Sequence, residues 1–317
     1  MKKTQSITFR YLSIIFVIAS LAYLIYVFFK FEDWNNFKAI FQQNSFETYL
    51  WLAATIILLP VNILIEAVKW KQVSSKLESL SIVNAIKSVV SGMASGFVTP
   101  NRIGDIIGRV SYLQSGNKTK AISLAAINSL TQNIAILILG VPLGFLYITH
   151  QNNKLELSSY FFVCLIILII FIAFLFITPK LADKIKTIRF KKYVEGLVKL
   201  STKNLFYITL LSILRFIVSC IQLFFILKFF NVHLSIYQAV ICIPFSYLLI
   251  TFTPSFAATE GIVRGSWTVL IISAFSGNIS GILMSGVGLW LINIILPVVI
   301  GNIFLVKDRI RLDFLRM

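Results

Sequence analysis

Acidic residues are scarce in this chain: 12 Asp and Glu stand against 29 Lys and Arg in 317 residues. Histidine and cysteine are scarcer still, at two and three, with no metal-ligand or redox spacing among them. No metal site and no cofactor is therefore expected. Cys164, Cys220 and Cys242 lie in apolar runs and read as small core hydrophobes. His150 and His233 fall in short expected outer loops, where a solvated imidazole is the plain reading. No Gly-x-x-x-x-Gly-Lys phosphate loop occurs, which argues against drive by ATP hydrolysis. Charge of either sign is thin: 13% of residues, against about a quarter in soluble domains. A soluble globule is excluded on that ground.

What the chain has instead is apolar length. Hydrophobic residues make up 58% of it, and the mean hydropathy is +0.88. Several runs reach the roughly 20 residues a bilayer-spanning helix needs. The 28 Phe and 11 Tyr suit a lipid-facing surface with interfacial aromatics. The net charge of +17 does not point to nucleic acid, because the basic residues gather in short loops between apolar runs. The basic start, Met1-Lys2-Lys3, precedes a long apolar run without a small-residue cleavage site, and so reads as a retained first helix.

Spanning helices are expected at about 11–29, 49–66, 121–147, 159–178, 205–229 and 280–305. Two further apolar stretches, about 82–118 and 236–275, are interrupted in the middle. Each half is near a half-span, so each stretch is expected to be a re-entrant hairpin, although two full crossings would keep the same loop polarity. Lys2, Lys3 and Arg10, then Lys69, Lys71 and Lys76, then the basic segment 179–204, then Lys307, Arg309, Arg311 and Arg316 all fall on one side. The positive-inside rule makes that side cytoplasmic, with both termini there. Segment 179–204 is a connecting loop on this reading; an amphipathic surface helix on Leu181, Ile185 and Ile188 is the alternative. The expected fold is thus an all-α polytopic membrane protein of about six spanning helices and two broken hairpins. It forms a single transmembrane domain over 1–317, as an inverted repeat of about 11–147 and 159–305. Pro142 and Pro297 follow Pro100 and Pro254 at nearly equal distances, which supports that alignment.

The interruptions carry the chemistry. The first reads Thr99-Pro100-Asn101-Arg102-Ile103-Gly104-Asp105, followed by Arg109; the second reads Thr253-Pro254-Ser255, followed by Glu260 and Arg264. Charges inside a membrane cost about 2.5–3.5 kcal/mol each on insertion scales and usually mark a pathway or a site. Pro100 and Pro254 favour a first helical turn, so each following helix would open near the midplane with free N–H groups and a positive dipole end. Arg102, Arg109 and Arg264 are candidate ligands of a lipid phosphate, since a guanidinium grips phosphate through two parallel hydrogen bonds. Thr99 and Thr253 add hydroxyls. Asp105 and Glu260 stand four residues before an Arg, placed to balance its charge or to carry a coupling proton. Arg102 has no acid at helical spacing and is the leading single candidate for substrate contact. The competing reading is that the two acid–Arg pairs merely hold the hairpins together.

Secondary candidates are Arg215, Asn133 and Asn293, with Asn128 and Gln132 read as polar glue between helices. Lys87 is a further candidate in the first hairpin. Glu66 and Lys69, at the expected end of the second span, read as interfacial residues with their charges turned to water. The spacings Gly92-x-x-x-Gly96, Gly104-x-x-x-Gly108 and Gly261-x-x-x-Gly265 read as close helix packing.

At these motifs the chain resembles the flippase-like transmembrane domain of the lysylphosphatidylglycerol synthase family. The likeness rests on Pro100-Asn101-Arg102-Ile103-Gly104-Asp105-x-x-x-Arg109, like the family's Pro-x-Arg-x-Gly-Glu-x-x-x-Arg. It rests also on Pro254-Ser255 leading to Glu260-Gly261, like its second Pro…Glu motif. Asp105 stands where the family has Glu, and Ala257, Ala258 and Thr259 replace glycines. The resemblance implies a protein of the bacterial cytoplasmic membrane that moves a phospholipid or lipid-linked phosphate headgroup between leaflets. The chain stops at Met317 just past the last expected span, so the family's soluble aminoacyl-transferase activity is not expected. The expected partners are membrane lipids and a possible separate lipid-modifying enzyme. Two rivals stand beside a non-enzymatic flippase: a membrane scaffold for a cell-envelope or lipid biosynthesis enzyme, and an integral-membrane lipid-modifying enzyme. The second would need a nucleophile or metal cluster that the sequence does not show.

Overall fold

A computed structural model describes residues 45–97, 99, 102–114, 118–151, 166, 169, 201–255 and 257–307. All regular structure among them is helical: α1 (Phe46–Ser74), α2 (Ile82–Phe97), α3 (Ile103–Val110), α4 (Lys118–His150), α5 (Thr202–Phe229), α6 (Ile236–Phe252), α7 (Ala257–Ile272), α8 (Ile279–Trp290) and α9 (Leu296–Lys307). A π-helical turn, Leu291–Ile295, joins α8 to α9 into one rod. The helices α1, α4 and α5 and this rod are long and apolar enough to cross a membrane. The protein is a multi-pass membrane protein. The expected spans 11–29 and 159–178 lie outside the described residues, apart from helical Ile166 and Ile169; so do Cys164, Pro100, Asn101, nearly all of segment 179–204 and the tail from 308.

Local chemistry sets the helix starts. Ser201 accepts a hydrogen bond from the Asn204 amide and caps α5. Ser235 and Gln238 form a reciprocal capping box on α6. Asn278 accepts from the Gly281 amide at the start of α8. Each caps backbone donors that a helix leaves unpaired at its start.

One expected boundary is wrong in an instructive way. The second span, expected to end at 66, continues as α1 to Ser74. The apolar run stops at Glu66, but the helix does not, because neighbouring helices supply partners for its charges.

The interrupted stretches fold as two helix pairs. In the first, α2 has 16 residues and α3 has 8; in the second, α6 has 17 and α7 has 16. None reaches the ~20 residues of a full crossing. The first pair packs on α9 and the second on α4, while α1 packs on α5. The α2–α3 contact is very close. A Cβ on Gly104 would stand 2.2 Å from the Ser95 carbonyl oxygen, and one on Gly108 would stand 2.7 Å from the Gly92 Cα. Only glycine admits backbones at that separation.

Candidate functional site

The Thr-Pro breaks are stitched by their threonines. Thr99 Oγ1 donates to the Gly96 carbonyl at 3.1 Å and accepts from the Gly104 amide at 2.7 Å. Thr253 Oγ1 donates to the Leu249 carbonyl at 2.7 Å and accepts from Trp267 Nε1 at 2.9 Å. Both hydroxyls, expected as ligand contacts, are engaged in closing a broken helix. Between Thr99 and α3 the chain turns through Arg102, which holds a left-handed φ of 57°. A non-glycine residue there costs about 1–3 kcal/mol, and such strain clusters at functional sites.

A buried knot of charge lies beside this turn. Glu66, only 1% exposed, is its hub. Its Oε1 accepts from Arg109 Nη1 at 2.5 Å and from Asn128 Nδ2 at 2.7 Å. Its Oε2 receives Lys69 Nζ and Arg215 Nη1, each at 3.0 Å. Four donors from α1, α3, α4 and α5 thus meet one carboxylate. Lys69 is fully buried and donates further to the Asn128 carbonyl and to Ser212 Oγ. The expectation that Glu66 and Lys69 reach out to water is overturned. A buried charge is tolerable only when paired and hydrogen-bonded, and here each pairs with the other and with neighbouring helices. A signal for this was present: Asn62, Glu66 and Lys69 recur at helical spacing and continue a polar face into the span.

Arg109 bridges this hub to its own helix, donating through Nε to Asp105 Oδ2 at 2.9 Å. Arg215 donates through Nε to Asn62 at 2.8 Å, so the candidate inside α5 pairs with acid and amide together. Arg102 is not unpaired. Its Nη2 donates to both oxygens of Glu260 at 2.6 Å, from the turn before α3 across to α7. The acid four residues away that Arg102 lacks is supplied by the other helix pair. Glu260 also accepts from Arg264 at 3.0 Å. Arg102, Arg109, Arg215, Lys69 and Arg264 face three carboxylates, leaving an excess of two positive charges.

A cavity of about 160 Å³ opens against this knot. The first helix pair and the turn within it contribute Met93, Gly96, Arg102, Asp105 and Arg109; α4 contributes Asn128, Ser129, Gln132 and Asn133; Glu66 and Arg215 complete it. Asn133 and Arg215 are thereby placed with Arg102, Asp105 and Arg109. Thr99, Thr253, Pro254, Arg264 and Asn293 are not among the lining residues, and Glu260 reaches the site only through Arg102. Asn293, within the π-helical turn, exchanges two hydrogen bonds with Gln222, at 3.0 and 2.9 Å. Lys87 lies over the Phe304 ring, outside the cavity. Among the described residues no group of three His, Cys, Asp or Glu side chains is placed to hold a metal ion.

The family model of the lysylphosphatidylglycerol synthase TM region matches residues 12–301, nearly the whole chain. The chain belongs to this family, which links it to membrane lipid metabolism or transport. No curated protein and no solved structure matches it.

Proposed function

We propose that this protein is a flippase-like transporter that carries the phosphate headgroup of a phospholipid or lipid-linked phosphate between the leaflets of the bacterial cytoplasmic membrane. The observation that carries this reading is the cavity. A polar chamber among apolar helices, lined by Arg102, Arg109 and Arg215 within a cluster of net positive charge, suits a phosphate and little else in a bilayer. Acyl or prenyl tails would stay in lipid while the headgroup enters.

Arg102 is the entry contact. Its side chain is 40% exposed, against 7% for Arg109. An entering phosphate competes with Glu260 for the Arg102 guanidinium, and taking it loosens the tie between the two helix pairs. The strained turn at Arg102 favours that release. Glu260 keeps Arg264 as its partner after the exchange, so no bare carboxylate is left behind. Asp105 and Glu260 balance the arginines when the site is empty.

The architecture proposed is six spans and two re-entrant hairpins in an inverted repeat, with both termini cytoplasmic. Reciprocal packing supports it: the first hairpin lies on α9 and the second on α4, the last span of the opposite half in each case. The second spans of the halves, α1 and α5, pack on each other, as a two-fold axis between the halves would require.

The test is leaflet exchange of fluorescent phospholipid and polyprenyl-phosphate probes in liposomes holding the purified protein. Exchange that falls at least tenfold in Arg102→Ala is the expected result, since a charged hydrogen bond lost from a desolvated site is worth roughly that factor or more. Equal exchange in parent and variant would sink the assignment. A stoichiometric copurifying enzyme, with no exchange of any probe, would favour the scaffold reading.

A further inference from the structure

The rod α8–α9 is continuous in direction but divided in attachment. Its first half packs on α7 of the second helix pair, and its second half packs on α2 of the first. Both contacts are at backbone distance. A Cβ on Gly286 of α8 would stand 2.9 Å from the Gly265 Cα of α7, and one on Gly301 of α9 would stand 2.0 Å from the Val90 carbonyl oxygen of α2. Glycine lets the helices lie that close. α8 is therefore fastened to the second pair and α9 to the first. The pairs themselves share no extensive helix contact among the described residues, and Arg102–Glu260 ties them across the gap.

The π-helical turn Leu291–Ile295 falls between the two attachments. There the Leu296 N–H donates to the Leu291 carbonyl, five residues back rather than four. Pro297 follows and has no N–H, so the next rung of the ladder is missing. Sharp bends in helices occur at such places. Trp290, just before the turn, touches both pairs. Its ring centroid is 6.5 Å from that of Phe97 on α2, and a Cβ on Gly261 of α7 would stand 3.0 Å from the ring. Its buried Nε1 has no hydrogen-bond partner among the described residues, so apolar contact alone holds the ring. Asn293 latches the turn to Gln222 of α5, which in turn donates to the Thr55 carbonyl of α1 at 3.1 Å. The contrast is α4. It also touches both pairs, through α3 and α6, yet runs as unbroken α-helix through Pro142.

We propose that this turn is the joint on which the two helix pairs swing relative to one another when Arg102 leaves Glu260, with α4 as the rigid post beside it. The joint follows from the packing of the rod and serves any ligand that opens the tie. Bending an intact α-helix breaks rungs of its ladder; here one rung is already absent. The Asn293–Gln222 latch joins two neutral amides, which can part and re-form without leaving a charge unpaired. Hinges of this kind let a few backbone positions absorb the motion while packed units on either side stay rigid.

The test is double electron–electron resonance on the full chain in phosphatidylcholine nanodiscs. Its three cysteines are replaced by alanine, and spin labels are placed at the exposed positions Val83 of α2 and Leu270 of α7. Arg102→Ala opens the tie without any ligand. It should shift the Val83–Leu270 distance by a few ångström or split it in two. Labels at Leu270 and Ile279, both on the second pair's side of the joint, should keep a single distance. Deleting Ile292 together with Pro297→Ala makes the rod regular, and should hold Val83–Leu270 at its parental distance in the Arg102→Ala background. Pro297→Ala alone, the milder change, supplies the missing donor and should reduce the shift. An unchanged Val83–Leu270 distance in Arg102→Ala overturns the joint. So does a full shift that survives Pro297→Ala, or an equal shift between Leu270 and Ile279. A joint that swings in Arg102→Ala, beside leaflet exchange unchanged by that variant, would fail the transport reading and keep the joint.

Discussion

The two broken helix pairs begin from the same sequence plan and end as different machinery. Each has a Thr-Pro break followed by an acid and an arginine four residues apart, and the structure forms both acid–Arg pairs. In the first pair, however, the arginine goes on to a buried carboxylate on another helix, and the backbone closes tightly enough to need glycine. In the second, Arg264 stays with Glu260, and its side chain remains 22% exposed. The cavity belongs to the first pair. What the second contributes is one carboxylate, reaching across to Arg102. Equal local motifs therefore do not make equal surroundings: the partner found on a distant helix places Arg109 at the cavity, while Arg264 stays outside its lining.

Removing the hub that only the first pair has should separate the two pairs most clearly. Glu66→Ala leaves the buried Lys69 and Arg109, and the part-buried Arg215, without their shared acid, and should destabilise the protein by about 3–5 kcal/mol, read as a large drop in detergent melting temperature. Glu260→Ala, on the more open side, should cost clearly less. Next in size, Gly104→Ala forces a methyl into the Ser95 carbonyl and should cost about 1–3 kcal/mol, with loss of lipid retention as α2 and α3 separate. Gly261→Ala meets the Trp290 ring at 3.0 Å, a side chain with more room to adjust, and should cost less in the same melting assay. Smallest, Thr99→Val and Thr253→Val each remove a stitch with two hydrogen bonds and should lower stability by about 1–2 kcal/mol. A lipid-binding defect is expected for Thr99→Val alone, because that stitch positions Arg102. Equal defects in both variants would erase the distinction between the pairs.

Much of the frame was legible in the sequence. Hydropathy marked α1, α4, α5 and the α8–α9 rod, since apolar length is a local property. The Thr-Pro breaks and the acid–Arg spacing marked both interrupted stretches. What stayed hidden was everything set by distance along the chain. Glu66 meets partners 43, 62 and 149 residues away, and Arg102 meets one 158 residues away. No periodicity encodes such pairings. Hence Glu66 and Lys69 read as the end of a span when they lie buried inside a longer helix, and Arg102 read as unpaired when it is the tie between the pairs. The threonines illustrate the same limit from the other side. A hydroxyl beside a proline break offers itself equally to ligand or backbone, and only the fold settles which.

A phosphate headgroup bound by this protein should sit with the first helix pair. The direct measurement is cryo-electron microscopy of the protein in nanodiscs rich in phosphatidylglycerol. It should show headgroup density between Arg102 and Arg109, with Arg102 drawn away from Glu260. Density at Thr253 and Arg264 instead, or an Arg102–Glu260 pair still closed beside a bound headgroup, would contradict it.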